Sequence, residues 1–161
     1  MTDMRYVALL RGIGPTNPNM KGEKLAAVFE GLGFKNVHTV IASGNVVFDS
    51  PSTSIAALEA KIERALPEKL GFKSTTIIRS RVEMEALVKK NPFKGVQDEK
   101  PNYLLVTFFK DRRRELATVL QIGEKGTPEF MGRLERAHGK ALTSRTWKTV
   151  NRILKKMEAI S

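Results

Sequence analysis

Val37-His38-Thr39-Val40-Ile41-Ala42-Ser43-Gly44-Asn45-Val46-Val47-Phe48 is the stretch on which the fold turns. Two runs rich in β-branched residues flank a Ser-Gly-Asn tripeptide. Glycine supplies the positive φ that tight hairpin turns require, and β-branched residues suit a pleated surface. The spacing predicts strands over Val37–Ala42 and Val46–Phe48 joined by a short turn. An isolated hairpin is barely stable in water, so its flanks must cover it.

On the N-terminal flank, Leu25, Val28, Phe29 and Leu32 recur on one face of a helix, with Gly33 as a natural residue just past its end. The segment Gly12-Ile13-Gly14-Pro15-Thr16-Asn17-Pro18-Asn19 is dense in breakers and reads as a loop, with Asn19 available as helix cap. Before it, Arg5–Leu10 is a short apolar run bounded by Arg11-Gly12 and reads as a buried strand. On the other flank, Asp49-Ser50-Pro51-Ser52 ends the hairpin. A helix over 53–66 carries Ile55, Leu58, Ile62, Ala65 and Leu66, and Pro67 and Gly71 are expected to stop it. Ser74–Arg79 completes the set as a strand. The order β-α-β-β-α-β is the split arrangement of a ferredoxin-like unit over residues 1–80.

Residues 81–161 read as a smaller α+β half. Ser80 and Glu83 form a capping box for a helix with Met84, Leu87 and Val88 inside and Asn91-Pro92 as its stop. Tyr103–Phe109 is a buried strand. Asp111–Glu115 is expected to open a charged helix or turn, and residues 121–130 carry no usable pattern. A helix is expected over 130–138 and a last one over 145–159, capped by Thr143 or Ser144.

The chain has 161 residues, 41% of them hydrophobic, enough for a real core and too apolar for a disordered chain. It has no cysteine, which removes disulfides, thiolate metal sites and thiol nucleophiles. No apolar run approaches the ~18 residues of a membrane span, and the first residues lack the apolar core of a signal peptide. A cytoplasmic protein without a membrane partner is the expectation, and a monomer its expected state. The net charge is +11, distributed as +3 over residues 1–80 and +8 over residues 81–161. Such an excess favours anionic partners.

Several of these residues resemble a known family. Leu9-Leu10-Arg11-Gly12-Ile13, Gly31-Leu32-Gly33-Phe34, Ser43-Gly44-Asn45-Val46-Val47-Phe48 and Thr143-Ser144-Arg145-Thr146-Trp147-Lys148-Thr149-Val150 stand in the order found in the bacterial domain-of-unknown-function family numbered 1697. The resemblance implies an α+β fold with a ferredoxin-like first half. It implies no activity. Where that family continues G-I-N-V-G-G after its first strand, this chain has Gly12-Ile13-Gly14-Pro15-Thr16-Asn17, and Thr146 replaces the family's Asn before Trp.

In a ferredoxin-like sheet the end of the first strand, the start of the first helix and the β2–β3 turn share one edge. That places Arg11, Gly12, Gly14, Asn19, Ser43 and Asn45 together as a candidate anion site: a guanidinium, free backbone N–H groups, a helix N-terminus, a hydroxyl and a carboxamide. The Lys-Ser/Thr pair of a P-loop is missing. The same residues also serve a purely structural purpose if they only turn the chain and satisfy its backbone. A second candidate lies in the last helix. At ~100° per residue, Trp147, Val150, Ile153, Leu154 and Met157 form a core face, and Arg145, Lys148, Arg152, Lys155 and Lys156 a basic stripe opposite. The functional reading of the stripe is contact with nucleic-acid backbone, with a log–log salt slope of about −4.5 for five phosphates. An RNA-recognition module is a poor match, because the central strands offer only Tyr6 and Phe48 as aromatics.

Catalysis has no anchor in the sequence. His38 and His138 have no His, Asp or Glu at ligand spacing, no nucleophile elbow occurs, and no carboxylate pair stands out. No metal and no cofactor are expected, and an enzyme is the weakest of the three readings.

Overall fold

The computed structural model describes residues 3–11, 21–41, 44–99, 102–110, 115–121, 127–138 and 141–160. Its first half runs β1 (Met4–Arg11), α1 (Gly22–Gly31), β2 (Lys35–Thr39), β3 (Asn45–Ser50), α2 (Ile55–Leu70) and β4 (Thr75–Ser80). The four strands form an antiparallel sheet in the order β2-β3-β1-β4, as the βαββαβ reading requires. Val7 lies opposite Val47 and Leu9 opposite Ile77 in its register.

The second half adds α3 (Arg81–Lys90), β5 (Asn102–Phe109), β6 (Glu115–Gln121), α4 (Thr127–His138), β7 (Leu142–Thr146) and α5 (Trp147–Ala159). Its sheet has the order β6-β5-β7 and is also antiparallel. α5 packs on β1 and β3 of the first sheet and on β5 and β7 of the second.

The alternation along β1 divides the core in two. Tyr6, Ala8 and Leu10 enter a cluster with Leu25, Phe29, Phe48, Ile62 and Leu66, under α1 and α2. Val7 and Leu9 enter the other, with Met84, Leu104, Val106, Phe108, Val150 and Ile153. Both faces of the strand are dry, so both residue parities must be apolar. The second cluster joins the two halves of the chain across the first sheet.

The structure corrects several boundaries. β2 covers Lys35–Thr39 rather than 37–42, since Ile41 at φ +56° has left the extended region, and β3 runs over Asn45–Ser50 rather than 46–48, paired with β1 as far as Ser50. α2 runs through Pro67 to Leu70, because the N–H of Gly71 closes the last turn on the Pro67 carbonyl at 3.1 Å. Proline removes its own N–H but leaves its carbonyl available. Of the stretch expected to open a charged helix or turn, 111–114 lie outside the described residues, and Glu115 begins a strand paired with β5. α4 starts at Thr127 rather than 130. The last helix begins at Trp147, capped by Thr146, whose Oγ1 accepts the N–H of Thr149 at 3.2 Å. Thr143, Ser144 and Arg145 belong to β7 instead. Two other caps agree with the sequence: Ser80 and Glu83 make the capping box, and Gly33 has φ +91°. The N-cap of α1 is Lys21, with no side-chain hydrogen bond, while Asn19 lies outside the described residues.

Candidate functional site

Arg11 is the last residue of β1, opposite Thr75 at the start of β4. Its backbone N–H donates to Ser74 Oγ at 3.0 Å. Its guanidinium is half-buried, donates to the Leu142 carbonyl at 3.2 Å and pairs with Glu135 of α4. Burial lowers its pKa from the ordinary value.

Lys110 follows β5 directly. Its N–H is fixed to the Ala141 carbonyl at 3.0 Å, and its ammonium pairs with Glu63 of α2. Glu63 also accepts the N–H of Thr76 at 2.8 Å. Lys73, in the α2–β4 connection, is exposed and forms no ion pair among the described residues.

These side chains wall a cleft of ≈ 800 Å³ whose polar lining includes Arg11, Glu63, Lys73, Ser74, Lys110 and Glu135. Three cations face two carboxylates, and each carboxylate is already held by one of the cations. Its charges come from five places: the end of β1, α2, the α2–β4 connection, the residue after β5, and α4. Local pattern signals only Arg11, so Glu63, Lys73, Lys110 and Glu135 were invisible as a group.

Of the other residues expected at this edge, Gly12, Gly14, Asn19 and Ser43 lie outside the described residues. The end of β1 does meet the β2–β3 turn, where Leu10 N–H donates to the Gly44 carbonyl at 2.9 Å. Asn45 is buried there and fully engaged. Its Nδ2 donates to the Val40 carbonyl at 2.9 Å, and its Oδ1 accepts from Arg145 Nε at 2.6 Å.

Arg145 is the main correction to the basic stripe. It is buried in β7 with 8% exposure, so it cannot meet a polyanion. Its Nη2 donates to the Leu10 carbonyl at 2.9 Å, and its Nη1 to Thr143 Oγ1 at 2.7 Å and the Ser144 carbonyl at 2.9 Å. All these acceptors are neutral, and burial pushes its pKa down to about 10. Lys148, Arg152 and Lys155 of α5 are exposed and Lys156 half-buried. Lys148 makes only a loose pair with Asp98 at 4.0 Å. Trp147 is half-buried, edge-on to Phe93 at 5.2 Å, apart from that stripe.

His38 is half-buried in β2, opposite Val47, and His138 ends α4. Among the described residues, no group of three His, Asp or Glu residues is placed to hold a metal ion, and no helix is long and apolar enough to cross a membrane.

The comparisons give kinship without an activity. No curated protein matches the chain. The structure of a conserved bacterial protein, SP0830 from Streptococcus pneumoniae, is similar over 98% of this chain and 99% of that one, with a TM-score of 0.74 and 21% identity, which shows a shared fold. The family described as "Protein of unknown function (DUF1697)" matches residues 4–132. With that match over most of its length, and the strand order its motifs imply, the chain belongs to the DUF1697 family.

Proposed function

We propose that the protein is a cytoplasmic binder of a small anionic ligand, bearing phosphate or carboxylate, held in the cleft beside Arg11. The observation that carries this reading is the exposed Lys73 ammonium, unpaired among the described residues, in a cleft where both carboxylates are already neutralised. A ligand phosphate would meet Lys73 first. Arg11 would then exchange Glu135 for the ligand, offering the forked geometry that suits phosphate and carboxylate oxygens. The ion pairs are partly solvated, so exchanging one costs little. A thermal-shift screen with phosphate-bearing metabolites tests this. Hits should raise the melting temperature, and Arg11→Ala and Lys73→Ala should each remove the rise while Lys148→Ala leaves it. A broad screen without a hit would overturn it.

A second reading is favoured by the exposure of Lys148, Arg152 and Lys155 on one side of α5: non-specific nucleic-acid association. Without Arg145, four cations remain, and the log–log salt slope for duplex DNA becomes about −3.6. Gel retention that survives Lys148→Glu, Arg152→Glu and Lys155→Glu together would rule it out. Neither reading includes a reaction.

A further inference from the structure

The two sheets have four edges, and three of them carry a feature that blunts pairing. β4 is closed by carboxylates from α2: Glu63 Oε2 accepts the Thr76 N–H at 2.8 Å, and Glu59 Oε2 the Ile78 N–H at 3.0 Å. β2 has five residues, opens on a lysine, and shifts register between Lys35 and His38. β7 has five residues and packs against β1 and β4 of the first sheet. Short strands, bulges, lysines and covering groups are the usual devices that keep sheet edges from pairing with other chains.

Among the described residues β6 has none of them. Its seven residues, Glu-Leu-Ala-Thr-Val-Leu-Gln, pair with β5 without a bulge from Glu115 to Gln121. Among the described residues nothing hydrogen-bonds its outward edge. Leu116 and Val119 are each 39% exposed, two of the few large hydrophobic side chains that reach the surface. The strand's one charge, Glu115, is committed to Arg79 at 2.9 Å.

We propose that β6 is a self-association edge, on which a second copy of this chain adds its own β6 antiparallel about a two-fold axis through Thr118. The sequence suits that partner. The axis sets Leu116 against Leu120, Ala117 against Val119, Thr118 against Thr118 and Glu115 against Gln121. Positions of equal parity meet, so Leu116, Thr118 and Leu120 of both copies form one continuous strip on one face. No like charges stand opposed, and the two three-stranded sheets become one of six strands. The mode is β-augmentation, in which backbone hydrogen bonds supply affinity and alternate side chains supply register. It departs from the monomer expected from sequence. One strand edge is far smaller than the roughly 1,600 Å² of a standard interface, so the dimer is weak.

Sedimentation of the full chain at about 10 to 500 µM, in about 0.3 M salt to screen the net charge, tests the proposal. The mass of the wild type should rise toward a dimer with concentration, and Leu116→Lys, checked for an unchanged melting temperature, should stay monomeric. The chain has no cysteine of its own, so a single thiol reports the axis directly. Thr118→Cys should cross-link to itself under mild oxidation several-fold faster than Val82→Cys, an exposed site on α3. A wild type that stays monomeric throughout, Leu116→Lys that still dimerises, or Thr118→Cys no faster than Val82→Cys would overturn it.

Discussion

Arg145 in β7 donates from Nε to Oδ1 of Asn45 in β3 at 2.6 Å, across 100 positions of sequence. The same guanidinium reaches the Leu10 carbonyl, so it ties the second sheet to two neighbouring strands of the first. Asn45 in turn pins the β2–β3 turn through Val40. Arg145→Met should cost about 3 kcal/mol, because it strands several buried acceptors at once. Asn45→Ala should cost less, about 1–2 kcal/mol. The double variant should fall short of the sum in urea denaturation, since both changes remove one shared contact. Arg145→Lys should not rescue, as one ammonium cannot reach acceptors in three directions.

Asp49 predicts the acid limit of stability. Burial alone would raise its pKa, but hydrogen bonds from Arg5 (2.7 and 2.8 Å) and Asn36 (2.8 Å) and the charges of Arg5 and His38 outweigh it, and the net shift is below the ordinary 3.8. A carboxyl with a lowered folded pKa contributes stability above its unfolded value and loses it as pH falls through the folded one. Unfolding free energy should therefore decline below about pH 4. Asp49→Asn should flatten that decline while lowering stability at pH 7, because Arg5 loses its counterion.

Ile41 has φ +56° and 41% exposure. A β-branched residue in the left-handed region is strained by about 1–2 kcal/mol. Ile41→Gly should raise stability by up to about 1 kcal/mol despite the extra freedom of glycine when unfolded. An unchanged or lower midpoint in urea would show that the exposed side chain contributes contacts that outweigh the strain.

Glu59 is buried, and its carboxylate satisfies the edge of β4. Glu59→Ala leaves the Ile78 N–H without that partner, a loss of about 1–3 kcal/mol. It also opens a strand edge, so light scattering on heating should begin at a lower temperature than for the wild type. Glu59→Gln retains an acceptor and should lie between the two.

The first half of the chain was legible because its signals are local. The apolar run of β1, the Gly44 turn, and the helical faces of Leu25–Leu32 and Ile55–Leu66 each name an element, and their order names the sheet. β6 and β7 escaped because their strand character comes from partners. Leu142–Thr146 is polar enough to resemble a helix cap and is a strand only because it pairs with Leu105–Phe109. Arg145 joined the basic stripe because residues 145, 148 and 152 share one side of an ideal helix. The chain leaves the strand two residues later than that spacing assumes, which buries Arg145 and leaves Lys148 outside. The cleft was legible only at Arg11, since its other charges come from α2, the α2–β4 connection, the end of β5 and α4.

Anion binding beside Arg11 is read most directly from backbone amide resonances as inorganic pyrophosphate is titrated into the uniformly ¹⁵N-labelled chain. Saturable shifts should concentrate at Arg11, at Lys73, Ser74 and Thr75, and at Lys110, and should be lost in Lys73→Ala. Shifts confined to Lys148–Lys156, or none at saturating pyrophosphate, would contradict it.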